Sequence, residues 1–475
     1  MLAPAAPTRR ATWPAATAVL LALLAGPPEA GAGGFAVSEQ SARGLGSAHA
    51  GEVAAAEDAS TIFYNPAGLT LLSGTQFVAS GFAIIGPHAT FRNDGSTLNP
   101  AVGGGTLVGG NGGDPAQLSL LPTFFLAHEL TSRVRVGLGV STPFGLADSY
   151  EKGWVGRYHA LSSKLETVNV NPSLAIRLTD WLSIGGGADI EYAKARLTNN
   201  LDLGSVCDIF GAERGIPATF CNALGLRPQR ADGFVKVSGD DWNAGYNVGF
   251  MYTPSPRTRV GLAYRSYIHH DLGGTASFFL PKQGQILQKV SGALVDTGGH
   301  AAVDLPERVS LGAFHELTPH WALLSDITWT HWSRFQSLVF RFDNPKQPPI
   351  VQPENWNDAF RYAVGVRWTP RTPWEFRLGT AYDETPVPDA QNRTPRIPDS
   401  DRIWLAAGVG FRPFTNLRFD VGYAHLFAPD VASNNRDPVT GHVLRGDYTN
   451  LSADIVGVQL TYDFGWPPLG DRVGF

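Results

Sequence analysis

The sequence predicts an all-β fold, a fourteen-stranded antiparallel transmembrane β-barrel with an N-terminal hatch in its lumen. Period-two alternation is the first ground for this. Phe360, Tyr362, Val364, Val366 and Trp368 alternate with Arg361, Ala363, Gly365 and Arg367. After a turn at Thr369 to Pro373, Trp374, Phe376, Leu378 and Tyr382 alternate with Glu375, Arg377, Gly379 and Asp383. Successive side chains of a strand point to opposite faces, so each segment has one oily face and one polar face. Phe360 to Trp368, at about 3.4 Å per residue and a tilt of roughly 40°, covers about 20 Å, close to the apolar band of an outer-membrane barrel.

Repetition is the second ground. Trp242, Tyr246, Val248, Phe250 and Tyr252 oppose Asp241, Asn243, Gly245, Asn247 and Gly249, and the same two-faced pattern returns at Leu417 to Tyr423 and Val456 to Phe464. A dry core would reject so polar an inner face. The third ground is the rhythm of connections. Six short turns (130–133, 178–181, 253–258, 317–320, 369–373 and 412–416) alternate with seven long polar stretches (91–117, 143–165, 197–240, 272–303, 334–357, 384–401 and 427–451). Thirteen connections give fourteen strands with both termini on the short-turn side, the asymmetry of outer-membrane barrels.

Composition agrees. Charged residues are 17 %, aromatics 11 % and glycines number 54, while the net charge of −5 offers no basic footprint for nucleic acid. Beyond the N-terminus no run of about 18 apolar residues could cross a bilayer as a helix, so membrane residence would require a closed sheet. Residues 1–32 read as a secretory signal, with Arg9 and Arg10, an apolar stretch from Ala15 to Ala25, and Ala30-Gly31-Ala32 as the processing site. The mature chain is then expected to begin near Gly33.

Residues 33–75 hold neither period. Fourteen strands enclose a lumen too wide for wall side chains to fill. With Phe35, Ile62, Phe63, Tyr64 and Leu69 to bury, this segment is expected as the plug, a free tail being the alternative. The barrel is expected over 76–464 and a C-terminal extension, WPPLGDRVGF, over 465–475, with either Phe464 or Phe475 as the closing aromatic. The two cysteines, Cys207 and Cys221, stand close together in an exported chain. A disulfide closing a small loop, worth about 3 kcal/mol on the chain-entropy account, and a pair of thiols both stay open.

No metal or enzyme constellation is evident. The cysteines have no partner at ligand spacing, and GxSxG, HExxH and Walker motifs are absent from the sequence. His269-His270-Asp271 is the nearest triad-like cluster, but neighbours in a strand face opposite ways. The glycine-rich string from Gly103 to Gly113 lacks the strand-to-helix context of a phosphate cradle and reads as an outer loop.

The string GGFAVSEQSARGLGSAHAGEVAAAEDASTIFYNPAGL, with Asn65-Pro66-Ala67, resembles the N-terminal hatch of the long-chain fatty acid and aromatic hydrocarbon transporters of Gram-negative outer membranes (the FadL/TodX type). Downstream, WNAGYNVGFMY, LPERVSLG, RYAVGVRW and AYDETPVPDAQNRTPRIPDSDRIWLAAG are similar to that family's strands and loops, so the likeness runs from Gly33 to about Phe464. The resemblance implies a monomeric, cofactor-free channel in outer-membrane lipid. It would pass hydrophobic molecules such as fatty acids, alkanes or arenes from an outer groove to an inner pocket and sideways into the membrane. It implies gating residues in Gly33, Gly34, Phe35, Asn65, Pro66 and Ala67. It also implies a wall gap where the third strand, expected from Arg133 to Ser141, gives way to Pro143, Phe144 and Gly145, because proline cannot donate to the ladder and glycine relaxes it.

A buried carboxylate would be met by arginine or lysine. The aligned pocket positions read Asn199 and Val339, which leaves nearby Arg196 and Arg341 as candidates, or a substrate without a carboxylate. The alternatives from other classes are a general porin with a watery, charge-ringed lumen and, with less support, an outer-membrane barrel hydrolase.

Overall fold

The computed structural model describes residues 33–213 and 217–465. The expected signal segment, Phe475 and most of the C-terminal extension lie outside the described residues. Among these residues the wall comprises fourteen strands, six of them interrupted once. In chain order these are β1 (Thr75–Asn93), β2 (Ser119–Glu129), β3 (Val134–Ser141, resuming at Gly145–Ser149), β4 (Ser162–Arg177) and β5 (Leu182–Asp202). They continue as β6 (Asp232–Ser255), β7 (Thr258–Arg265 and Ile268–Phe279), β8 (Thr297–Leu305 and Arg308–Thr318), β9 (Trp321–Thr330 and Ser337–Phe342) and β10 (Ile350–Pro353 and Ala359–Trp368). The last four are β11 (Trp374–Asp383), β12 (Arg402–Phe414), β13 (Leu417–Phe427 and Val431–Arg436) and β14 (Val443–Asp463).

Each strand pairs antiparallel with the next, and β14 returns to β1 in the register Phe77↔Tyr462, Phe82↔Gly457 and Asn93↔Gly446. Closure leaves the sheet without a free edge, as a span through hydrocarbon demands. Each of the six expected turns joins two consecutive wall strands, but three are tighter than expected, since strand runs on to Ser255, Thr318 and Phe414. Several strands run further than alternation suggested: β5 reaches Asp202 and β6 begins at Asp232, inside the stretch read as loop. Pairing there continues above the apolar band, where Leu197 and Val237 face the interior and charged residues such as Lys194 and Arg196 face outward, so no lipid-facing stripe marks the strand. The wall also begins at Thr75, one residue before the expected boundary, and its last strand ends at Asp463.

The outward face carries the expected aromatics. Trp321 and Trp368 stack at 5.8 Å and Trp181 meets Tyr252 edge-on at 5.8 Å on the short-turn side, while Tyr192 and Trp242 lie 5.2 Å apart toward the other rim. Between these girdles lie exposed aliphatics such as Leu323, Ile327, Leu378 and Val421.

Residues 33–74 pack inside the barrel. Three single-turn helices, α1 (Ala42–Leu45), α2 (Glu52–Ala55) and α3 (Thr61–Tyr64), and a 3-10 turn (Pro66–Leu71) bury Ala42, Leu45, Ala48 and Ala54 against wall alanines including Ala322, Ala363 and Ala424. Small residues on both sides let backbones meet. A Cβ on Gly408 would stand 2.6 Å from the Gly46 Cα, so glycine is required at that approach. Asn65 joins segment to wall: its Oδ1 accepts from the Ala67 amide (3.1 Å), and its Nδ2 donates to Val53 O (2.8 Å) and Phe250 O (3.0 Å). Pro66, without an N–H, opens the 3-10 turn where that donor is dispensable.

The polar inner face of the wall is consumed in pairs. Arg43 bridges Glu57 (3.1 Å) and Glu375 (3.3 Å), while Arg377 and Arg418 converge on Asp420 (3.0 and 2.8 Å). A filled interior of this kind is not the watery lumen of a general porin. Gly408→Ala is expected to loosen the seated segment by about 1–3 kcal/mol, the usual range for overpacking. It should lower the temperature at which the detergent-solubilised barrel loses its compact gel mobility. Gly273→Ala, whose Cβ would meet nothing within 4 Å, should leave that temperature unchanged.

Candidate functional site

Three cavities lie in sequence from the outer rim to the side of the wall. The outermost is an apolar groove of about 430 Å³ among α4 (Leu203–Ala212), α5 (Ala218–Ala223) and α6 (Lys282–Ser291), lined by Phe210, Phe220, Leu224, Ile286 and Val290. A disulfide joins Cys207 to Cys221, with Cα atoms 6.0 Å apart, and so ties α4 to α5. Val237 packs against the apolar cluster beneath the groove and also lines the next cavity.

This inner pocket, about 90 Å³, is walled by Leu165, Leu197, Leu272, Ala276, Leu338 and Phe340, with Phe35 at one end. Its volume is below the roughly 150 Å³ that admits benzene to an engineered apolar cavity, so a larger guest needs a side chain to withdraw. Phe35 is placed to do so. Its ring sits in an aromatic cage, 4.7 Å from Trp332, 5.7 Å from both Phe335 and Trp356, and 6.0 Å from Phe144.

The backbone around Phe35 completes the wall. After Ser141, β3 leaves β2: their pairing stops at Phe124↔Val140, and the resumed piece Gly145–Ser149 pairs along its length with β4. It meets the stretch before β2 at an Ala116↔Asp148 bridge and a hydrogen bond from the Ser149 amide to Pro115 O (3.1 Å). Pro143 cannot donate, and the Phe144 amide turns to the Thr167 hydroxyl (3.0 Å). The N-terminal segment meets the exposed groups of this kink, with the Val37 amide donating to Pro143 O (2.8 Å) and the Gly145 amide to Phe35 O (3.0 Å). Gly34 is held in turn by Asp399, which accepts its amide at 2.9 Å, and by Arg402, which donates to its carbonyl at 3.4 Å. Burial pushes the Asp399 carboxyl up to about 6, against the pull of Arg402.

Where β2 and β3 part, a third cavity of about 960 Å³ reaches through the wall, lined by Leu118, Leu120, Pro122 and Phe124 on one side and bounded inside by Phe35. Phe35, Leu146 and Leu165 line this cavity and the inner pocket alike. Gly33, Gly34, Phe35, Pro143, Phe144 and Gly145 thus come together. Asn65, Pro66 and Ala67 stand apart from them, against β5 and β6, where a Cβ on Gly185 would lie 2.5 Å from the Ala67 amide.

Of the two carboxylate candidates, Arg341 borders the inner pocket, whereas Arg196 borders the cavity through the wall. Arg196 is exposed on the outer face of β5. Arg341 is exposed opposite His300, alternating with Phe340, which lines the pocket from β9. Counting by twos from the lipid-facing Ile190 and Tyr192 assigns Arg196 to the outer face, a signal present in the sequence. At Arg341 the break after Thr330 resets the alternation. A further cation at the pocket is Arg396, from the string around Pro395, which donates to the Asn199 side chain (3.3 Å) and the Ser163 hydroxyl (3.2 Å). An arginine from a distant loop therefore reaches the asparagine at one aligned pocket position. His269 and His270 point opposite ways, to Asp304 outside (2.8 Å) and Asp241 inside (3.1 Å).

The model of the outer membrane protein transport protein family (OMPP1/FadL/TodX) matches residues 22–464. The chain belongs to that family. It is 30 % identical over 422 residues to the long-chain fatty acid transport protein of Escherichia coli O6:H1, covering 88 % of this chain and 91 % of the relative. It is 28 % identical to outer membrane protein P1 of Haemophilus influenzae, over 94 % and 98 % of the two chains. Among solved structures, a Pseudomonas aeruginosa FadL homologue superposes with a TM-score of 0.80 at 25 % identity, covering 91 % of this chain and all of that one. The toluene transporter TodX of P. putida shares the fold, with a TM-score of 0.64 at 16 % identity over 86 % and 94 % of the chains. The chain is accordingly an outer-membrane β-barrel.

Glu354 gives the pocket a titration. It is buried with Oε2 unpartnered among the described residues, and burial, against the pull of Arg396, pushes its carboxyl up to about 8. A raised acid binds its proton more tightly folded than unfolded. Stability is therefore full below the ordinary carboxylate range, falls as pH rises toward 8, and is level above it. Glu354→Gln should match the wild type in acid and exceed it increasingly up to about pH 8, read as thermal unfolding in detergent.

Proposed function

We propose that this protein is a passive channel that takes hydrophobic molecules, long-chain fatty acids or related hydrocarbons, from the outer surface and releases them sideways into the membrane. The observation that carries the reading is the shared boundary at Phe35, one ring that closes both the inner pocket and the cavity through the wall. A guest caught in the outer groove descends past Val237 and displaces Phe35 from its cage. That withdrawal takes the Ala36 to Phe144 bridge with it and opens a path to lipid between β2 and β3.

Solvation explains the direction. Each exposed methylene costs about 0.8 kcal/mol in water, so a long acyl chain gains nothing from an aqueous exit and much from a lateral one. Displacing Phe35 forfeits aromatic contacts worth about 0.5–1.5 kcal/mol each, which bound methylenes can offset. The channel acts as a monomer, needs no cofactor and transforms nothing. Relatives carry the names of transport proteins, in keeping with this.

Deleting Gly33 to Phe35 should cut uptake of a labelled fatty acid at least severalfold while leaving barrel folding and gel mobility intact, and unchanged uptake would refute the gate. Lipid extraction and mass spectrometry of the purified protein should find a bound fatty acid, alkane or arene. Flux of small sugars through reconstituted protein, with no such guest, would favour a porin instead.

A further inference from the structure

The outer face of the wall beside the side opening carries charges that the passage of a neutral hydrocarbon does not require. On β4, Lys164, Glu166 and Val168 face outward; on β5, Arg196, Lys194 and Tyr192 stand opposite them in the register Lys164↔Arg196, Glu166↔Lys194 and Val168↔Tyr192. The next strand places Trp242 opposite Tyr192, Asp240 opposite Lys194 and Ser238 opposite Arg196. Tyr192 and Trp242 belong to the aromatic girdle, so the cations begin one step above it, at the height of lipid headgroups.

Their pairing is incomplete. Lys164 Nζ meets Glu166 at 2.7 Å, and Lys194 has Asp240 across from it. Arg196 lies between Lys164 and Ser238 and has no ion-pair partner among the described residues. Like charges directly opposite on one face of a sheet repel, so this arrangement costs free energy that a bound anion would recover.

Lys164, Lys194 and Arg196, with Glu166 as the one acid on their outer face, line the same 960 Å³ cavity as Leu118, Leu120, Pro122 and Phe124. Gly145 and Ala147, on the resumed piece of β3 between these two walls, carry almost no side chain, and Ala147 pairs with Lys164 itself. The mouth is oily on the β2 side and carries a net positive charge on the β4 and β5 side, where Lys164, Lys194 and Arg196 outnumber Glu166. Ser163, the residue before Lys164, faces inward and accepts from Arg396 in the inner pocket. One position of β4 therefore has a guanidinium on each side of the wall, Arg396 within and Arg196 without.

We propose that Arg196, with Lys164 beside it, is an exit station for the carboxylate of a single-chain amphiphile, holding the head at the headgroup level while the tail lies along Leu118, Leu120 and Phe124. This rests on the channel reading above and narrows its substrate to anionic acyl chains. Arg196, first considered for a buried site, takes the head after the pocket rather than inside it. The cation pair spanning β4 favours a departing substrate over a resident membrane lipid, which would touch only the outer member.

The test compares oleate with hexadecane. Full-length protein and the Lys164→Gln/Arg196→Gln double variant are reconstituted in phosphatidylcholine vesicles, and delivery of each labelled probe into the bilayer is timed. Oleate delivery should fall about tenfold in the double variant, as expected for loss of a charge-assisted contact, with hexadecane unchanged and Arg196→Lys restoring most of the rate. These cations are exposed, so the variant should fold, and its gel mobility checks this. Equal loss of both probes, or no loss of oleate, overturns the exit station while the channel stands. Wild type delivering hexadecane alone does the same. Wild type delivering neither probe overturns the channel reading with it. A phosphate-bearing lipid that co-purifies with the wild type and is lost from the variant, with oleate delivery unaltered, assigns the cations to the membrane and overturns the proposal.

Discussion

A chain that crosses hydrocarbon must pair every backbone N–H and C=O it exposes there, and this wall meets the requirement by closing β14 onto β1. At the outer part of β3 the ladder to β2 stops, and the groups it strands are met by the chain's own N-terminal residues: Val37 on Pro143, Phe35 on Gly145. The same contacts put the Phe35 ring into its cage. Backbone satisfaction and closure of the passage are thus one set of interactions, so opening the path must also unpair part of the wall. This ties transport to a local, reversible cost rather than to deformation of the barrel.

The rest of the interior serves to keep that event local. Alanine and glycine contacts seat residues 42–56 against the wall over much of its circumference, and the arginine and carboxylate pairs around Arg43, Glu375 and Asp420 tie the segment's polar face down. Asn65 adds a bidentate amide link to Val53 and Phe250. The extended residues before Glu39, by contrast, are held by a few backbone hydrogen bonds and one ring. An opening confined to those residues leaves the larger seal intact, which excludes water while a greasy guest moves.

Much of this was legible in the chain. The oily face at Phe360 to Trp368 and the turn at Thr369 to Pro373 mark a strand and its end because lipid on one side and a filled lumen on the other impose strict alternation. Above the girdle that constraint lapses. The outer ends of β5 and β6 carry no lipid-facing oily stripe, their apolar residues such as Leu197 and Val237 turning inward, and they read as loop although they pair through Asp202↔Asp232. The pocket was less legible. Arg396 is carried by a loop whose sequence says nothing of Ser163 or Asn199, and the cage around Phe35 gathers Phe144, Trp332, Phe335 and Trp356 from three distant stretches. Arg196 was readable in principle, since its parity with Ile190 and Tyr192 assigns its face.

The chain alone was enough to mark a lipid-facing barrel, because period, turn chemistry and composition are local consequences of which solvent each face meets. The filling of its lumen was an expectation, with a free tail as the alternative. Tertiary structure alone decided where the path runs, which ring closes it and which arginine lies on which side of the wall. Those depend on contacts between residues hundreds of positions apart, brought together only when the sheet closes around its own N-terminus.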